Sequence, residues 1–323
     1  TPNILSQLES RSGPNQRLVA AFGINNSFTT VNNDYNKQFR SFTERLIKIT
    51  DEEWYIIAGD ASKVLLGKLP ENDIKLPLVP IVQNLTLKLS LAVLFDVNPH
   101  SVNDISVSIV AKEINRIWLA SKEPETLENW VAQGDIHQAL RNILPNLNPL
   151  LDRQNPMNLI LPAYETLWRV VLRCFIEVVS RDSPNKEIWR SILRNFLREP
   201  TRANLLRKED NVSAQWIAME ALRLYPPTRR VYRHFLHRPY HAEYINVDNY
   251  ELTMLAADIE SSQRNEQAWG EDRTKFVPER WSELREGVLR RIFMAFGTKP
   301  FVCPAKPYFG PHIIAIIVAS LSE

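Results

Sequence analysis

The stretch FMAFGTKPFVCPAKPYFGP, residues 293–311, holds one of only two cysteines in a chain of 323 residues. It opens on the aromatic turn Phe296-Gly297, is studded with prolines, and runs straight into HIIAIIVASL (312–321), an apolar run long enough for a terminal helix. Cys303 therefore falls between an aromatic-lined turn and an expected helix start. That is where a protein can hold a thiolate, because the positive end of a helix favours an anionic sulfur. The other cysteine, Cys174, lies in a long apolar pattern and reads as packed core.

Composition narrows the possibilities around this loop. With 44% hydrophobic and 24% charged residues the chain has the make-up of a globular protein with a sizeable core. A formal net charge of +2 gives no global pull toward nucleic acid. Two cysteines make neither a disulfide framework nor a zinc spacing, and suit a reducing compartment. No apolar run approaches the roughly 20 residues that span a bilayer. The N-terminal TPNILSQLES lacks the basic and apolar regions of a signal peptide. It also lacks an initiator methionine, so a processed or incomplete chain is expected.

Few glycines and many leucines, isoleucines and arginines predict a mainly α fold, with residues 1–323 as one domain. Helical periodicity marks 84–95, 106–121, the long apolar 158–180, 186–198 and 213–224. Residues 142–158, rich in proline and asparagine, read as a surface loop. After Leu224 the composition turns to tyrosine, valine and turn residues, which predicts short strands. Residues 259–287 show no clear period.

Four stretches carry chemistry. In the cysteine loop, Phe296, Gly297 and Cys303 stand in the frame F-G-x-G-x-R-x-C-x-G, with Lys299, Phe301 and Ala305 replacing its other fixed residues. In MEALRLYPPTRRVYR (219–233), Glu220 and Arg223 share one helix face at i, i+3, and the double proline ends that helix. Pro278-Glu279-Arg280-Trp281 follows, where Arg280 offers a planar guanidinium able to bridge a carboxylate. In LPAYETLWRVV (161–171), Pro162 is expected to break the bond to the Asn158 carbonyl and kink the helix beside Glu165 and Thr166.

In this order the four stretches resemble the cytochrome P450 family of heme-thiolate monooxygenases. The resemblance is strongest over 158–323, and points to a eukaryotic or fungal-like member lacking its N-terminal portion. It implies the P450 fold with small β elements. It implies heme b, held non-covalently, with Cys303 as the axial iron ligand and Phe296 lining the cofactor. Thr166 and Glu165 would handle protons, while Glu220, Arg223 and Arg280 would lock the segment presenting the cysteine loop. Arg233, on a strand, and Arg40, with Lys37 in DYNKQFRSFTERL (34–46), are the expected propionate partners. Phe301 in place of arginine removes one more.

The implied reaction inserts one atom of dioxygen into an apolar small molecule. Electrons would come from an NADPH-dependent flavoprotein reductase docking on a basic collar of Arg285, Arg290, Arg291, Lys299 and Lys306. A full-length form would associate with the endoplasmic reticulum membrane. Two alternatives stay open: a heme-thiolate isomerase or dehydratase needing no reductase, and a non-catalytic remnant of the family.

Overall fold

The computed structural model describes residues 4–68, 77–237 and 250–323. Local chemistry sets most helix starts. Helix α1 (Gln7–Phe22) begins at a capping box, the Ser6 hydroxyl accepting from the Glu9 N–H at 3.2 Å and Glu9 reaching back to the Ser6 N–H at 2.8 Å. It ends at Gly23 with φ +60°, where a Cβ would lie 2.2 Å from Trp130. Asn32 caps α2 (Asn33–Leu46), and a second capping box, Thr50 with Glu53, starts α3 (Asp51–Leu66).

Helix α4 (Leu78–Phe95) starts six residues before the expected 84. Among the described residues it is the one helix long and apolar enough to cross a membrane, at 18 residues and mean hydropathy 1.7. Half of it is buried in the fold, against α3 and the later helices at Asp104–Ala120 and Met157–Phe175. Its buried Lys88 reaches Asp104 at 2.8 Å, and that carboxyl, held also by Asn84 and Lys68, is lowered to about 2 despite partial burial.

Asn103 caps α5 (Asp104–Ala120), and α6 (Gly134–Ile143) follows. The loop before α7 is more than surface. Asn155 donates to the carbonyls of Phe22 and Gly23 at 2.8 and 3.0 Å, and Asn158 accepts from the Asn25 N–H at 2.7 Å, tying the end of α1 to the start of α7. Helix α7 (Met157–Phe175) runs through the interior between α4 and the later helices at Ala214–Leu224 and Phe309–Ser322, and continues as a π turn over Ile176–Ser180. Pro162 does not break it. The Asn158 carbonyl that Pro162 cannot serve accepts instead from the Asn26 side chain at 3.0 Å, so the helix stays continuous.

Helix α8 (Lys186–Arg198) precedes α9 (Arg202–Leu206) and α10 (Ala214–Leu224). Strands β1 (Arg230–His237) and β2 (Glu251–Asp258) pair antiparallel, from Arg230 opposite Asp258 to His237 opposite Glu251. Residues 238–249, within the predicted strand region, lie outside the described residues. The aperiodic 259–287 contains short helices α11 (Ile259–Ser262) and α12 (Glu266–Trp269) and a 3-10 turn at Pro278–Ser282. Helix α13 (Glu286–Ile292) leads to the cysteine loop and α14 (Phe309–Ser322). Nearly all buried hydrophobic side chains among the described residues belong to one cluster, to which α4, α7, α10 and α14 all contribute.

Candidate active site around Cys303

The loop that presents Cys303 is held from behind by a buried charge network. Glu220 and Arg223 on α10 are both fully buried. Arg223 bridges Glu220 with two prongs, Nε to Oε2 at 2.9 Å and Nη2 to Oε1 at 2.7 Å. Arg280 joins at 3.0 Å, and the Glu220 carboxylate also accepts from the Val277 N–H and the Trp281 indole, both at 3.0 Å. The remaining Arg223 donors go to the carbonyls of Gln263, Arg273 and Lys275. A carboxylate that accepts five bonds offsets its desolvation, which two isolated buried charges cannot do.

This network extends to the loop. Gln263 donates to the Leu222 and Arg223 carbonyls and accepts from the Met294 N–H at 2.8 Å. Trp281 packs edge-on against Phe293, and Phe293 against Phe296. Gly297 takes φ +69°, open to glycine, and the chain doubles back so that the Cys303 N–H donates to the Phe296 carbonyl at 2.8 Å. The expected helix start at Pro304 is not there. Residues 304–308 form turns closed by Lys306 N–H to Cys303 O and Gly310 N–H to Ala305 O, and α14 begins only at Phe309. The helix dipole therefore does not reach Cys303, since its effect fades within a turn.

Two arginines act on the sulfur instead. Cys303 is half-buried, and burial pushes its thiol up, while the Ala305 N–H and the Arg40 and Arg11 guanidiniums pull it down. Arg40, on α2, donates to the carbonyls of Pro300 and Val302 at 3.2 and 3.1 Å, so it clamps the loop directly. Arg233, on β1, lies 5.4 Å from the Phe301 ring centroid. Arg11, on α1, lies 4.4 Å from the same centroid. Sequence reasoning missed Arg11, for its surroundings carry no motif and only the packing of α1 on β1 brings it in. Lys37 is exposed and lines a groove of about 250 Å³ with Arg40, Pro300 and Phe301.

The residues on α7 stand apart from this cluster. The Thr166 hydroxyl lies 2.9 Å from the Pro162 carbonyl and 3.2 Å from that of Ala163. Buried Glu165 accepts two bonds from Arg169, at 3.0 and 2.5 Å, and one from the Trp168 indole at 3.2 Å. Pro162, Ala163, Thr166 and Leu167 form a half-exposed stripe in the middle of α7, between buried Leu161, Tyr164, Glu165 and Trp168. Cys174 is buried against α10, its thiol raised by burial and by Glu177. Of the collar, Arg285, Arg290, Arg291 and Lys299 are exposed, Arg290 paired with Glu286.

The donor set fits an iron porphyrin. Cys303 offers a sulfur ligand, and Arg11, Arg40 and Arg233 have no ion-pair partner among the described residues. The Nη1 of Arg11 is buried without any hydrogen-bond partner. Three such guanidiniums suit two carboxylates.

No family model matches the chain, and no curated protein matches it in sequence. Its fold is that of the cytochrome P450s. CYP175A1 from Thermus thermophilus superposes with TM-score 0.66 at 18% identity, over 99% of this chain and 78% of that one. A 6-coordinated cytochrome P450 from another strain of Thermus thermophilus gives 0.64 at 16%, over 99% and 80%. CYP154A1 from Streptomyces coelicolor A3(2) gives 0.60 at 14%, over 97% and 77%. These neighbours are bacterial, so the expected eukaryotic or fungal affinity and the endoplasmic reticulum association find no support in them.

Proposed function

We propose that this chain is a heme-thiolate monooxygenase of the cytochrome P450 type, acting on an apolar small molecule. The observation that carries this reading is Cys303, held in a loop braced by the Glu220–Arg223–Arg280 network and faced by Arg11 and Arg40. Bound heme b would supply dioxygen activation, with electrons drawn from an NADPH-dependent flavoprotein reductase.

The protein's own part begins at sulfur. Arg11 and Arg40 favour the thiolate over the thiol, against a burial that still leaves the thiol raised on balance. Arg40 and Arg233 help to hold the porphyrin carboxylates, and the Phe296 ring packs within the loop. The Thr166 hydroxyl, one donor with two acceptor lone pairs, holds a proton between the α7 carbonyls and the half-exposed side of that helix. The Glu165 carboxyl stands beside it, anchored by Arg169 and Trp168. The exposed arginines and Lys299 steer a reductase of acidic surface.

The anchoring of Glu165 and the return of the Thr166 hydroxyl into its own helix favour a second reading, a heme-thiolate isomerase or dehydratase that consumes no reductant. NADPH consumption in the presence of a reconstituted reductase separates the two. For either, Cys303→Ser is expected to abolish the long-wavelength Soret band of the reduced, carbon-monoxide-treated protein. A wild-type-like spectrum in that variant would remove Cys303 as the ligand.

A further inference from the structure

Arg11 is the most confined of the three cations, only 8% exposed. Helix α1 is seated on β1 by the Ser10 hydroxyl, which donates to the His234 carbonyl at 2.7 Å, and by the Ile4 N–H, which donates to the Leu236 carbonyl at 3.0 Å. This seating drives Arg11 into the space between β1 and the cysteine loop. Its guanidinium lies 4.4 Å from the ring centroids of both Phe28 and Phe301, so it is held between two aromatic rings. Arg233 reaches the Phe301 ring as well. Burial first, then the nearby charges of Arg233 and Arg40, lower Arg11 to about 9, while Cys303 pulls the other way. No carboxylate pairs with any of the three among the described residues, and the Arg11 Nη1 is a buried donor with nothing to donate to. An uncompensated buried charge with an idle donor is costly to keep.

Phe301 stands where the cysteine-loop pattern has arginine, and its ring face is the surface on which Arg11 rests. We propose that Arg11 is the principal carboxylate anchor for the porphyrin in this chain, reaching from α1 to stand in for the arginine that Phe301 replaces. This rests on the heme-thiolate reading, but it concerns the porphyrin carboxylates and not the iron, so the two can fail separately.

The test uses iron-free protoporphyrin IX and its dimethyl ester, titrated against the full chain by quenching of tryptophan fluorescence. Neither probe needs Cys303 or turnover. The wild type is expected to prefer the dicarboxylate. Arg11→Met is expected to weaken dicarboxylate binding by about ten- to a hundredfold and leave the ester unchanged. Adding Phe301→Arg to Arg11→Met is expected to restore most of the loss. Equal affinity of the wild type for acid and ester overturns the anchor, as does an Arg11→Met variant that loses both alike or neither. If Arg11→Met does not fold, Arg11→Lys decides, because a point charge without the planar fork is expected to bind the acid less tightly and the ester as before. Uptake of neither porphyrin by the wild type overturns the functional reading along with the anchor. A failed Arg11 result with a normal thiolate spectrum overturns the anchor alone.

Discussion

Pro162 sits in the middle of α7 without a backbone N–H, yet the helix passes through it unbroken. The reason lies 132 residues away in sequence, where the Asn26 amide donates to the stranded Asn158 carbonyl. A buried carbonyl left without a partner costs about 1–3 kcal/mol, so the amide and the proline are energetically coupled. Asn26→Ala is expected to destabilise the wild type by more than it destabilises a Pro162→Ala background, where the restored backbone N–H can serve the carbonyl from within the helix. A double-mutant cycle by urea unfolding should give a coupling of about 1 kcal/mol. Strict additivity would mean that Asn26 acts only through its own turn. Phe301 shows a similar relation at the cysteine loop, where a lost cation in the loop coincides with a buried one on α1.

Between elements, α10 connects the core to the chemistry. Glu220 binds Trp281, Trp281 packs on Phe293, Phe293 on Phe296, and the Phe296 carbonyl accepts from the Cys303 N–H. Four donors besides Arg280 converge on one carboxylate, so removing its charge leaves buried guanidinium groups uncompensated. Glu220→Gln is expected to cost about 3–5 kcal/mol and to lower the urea midpoint. The cysteine loop should respond with it, as faster amide exchange of Met294 and Cys303. A variant of wild-type stability would show that the network is dispensable for the fold.

Across the whole molecule, His312 joins α14 to α3 and α8. It stacks on Trp54 with ring centroids 3.9 Å apart, meets Phe196 edge-on, and donates from Nε2 to the Pro200 carbonyl at 2.9 Å. Burial lowers this imidazole from 6.5 to about 4, although Asp51 and the Pro200 carbonyl favour the charged form. The unfolded chain therefore binds more protons between those values. Stability from this group is fully present above pH 6.5 and is lost as pH falls toward about 4. The loss should reach about 3 kcal/mol, read from urea unfolding at a series of pH values. His312→Phe, which keeps the ring stacking, is expected to flatten that slope. An unchanged slope would assign it to other groups. Asp104, held low by Lys88, contributes in a more acidic window, losing its stabilisation as pH falls toward about 2.

The sequence by itself determined the mainly α character, the α10 carboxylate–guanidinium pair and the cysteine loop, because each depends on residues close along the chain. Periodicity of 3.6, an i, i+3 spacing and a proline stop are local facts. Cys174 as core was legible for the same reason, whereas Arg280, 60 residues from Glu220, was legible only through the resemblance its Pro-Glu-Arg-Trp frame carries. What only the tertiary structure decided involves partners distant in sequence. Arg11 reaches Phe301 because α1 lies on β1, and α7 survives Pro162 because Asn26 folds back onto it. The cysteine loop turns for five residues before α14 begins, so Arg11 of α1 and Arg40 of α2, rather than a helix end, act on the sulfur. A buried charge or an orphaned carbonyl must be answered by whatever group the fold brings near, and no local pattern names that group.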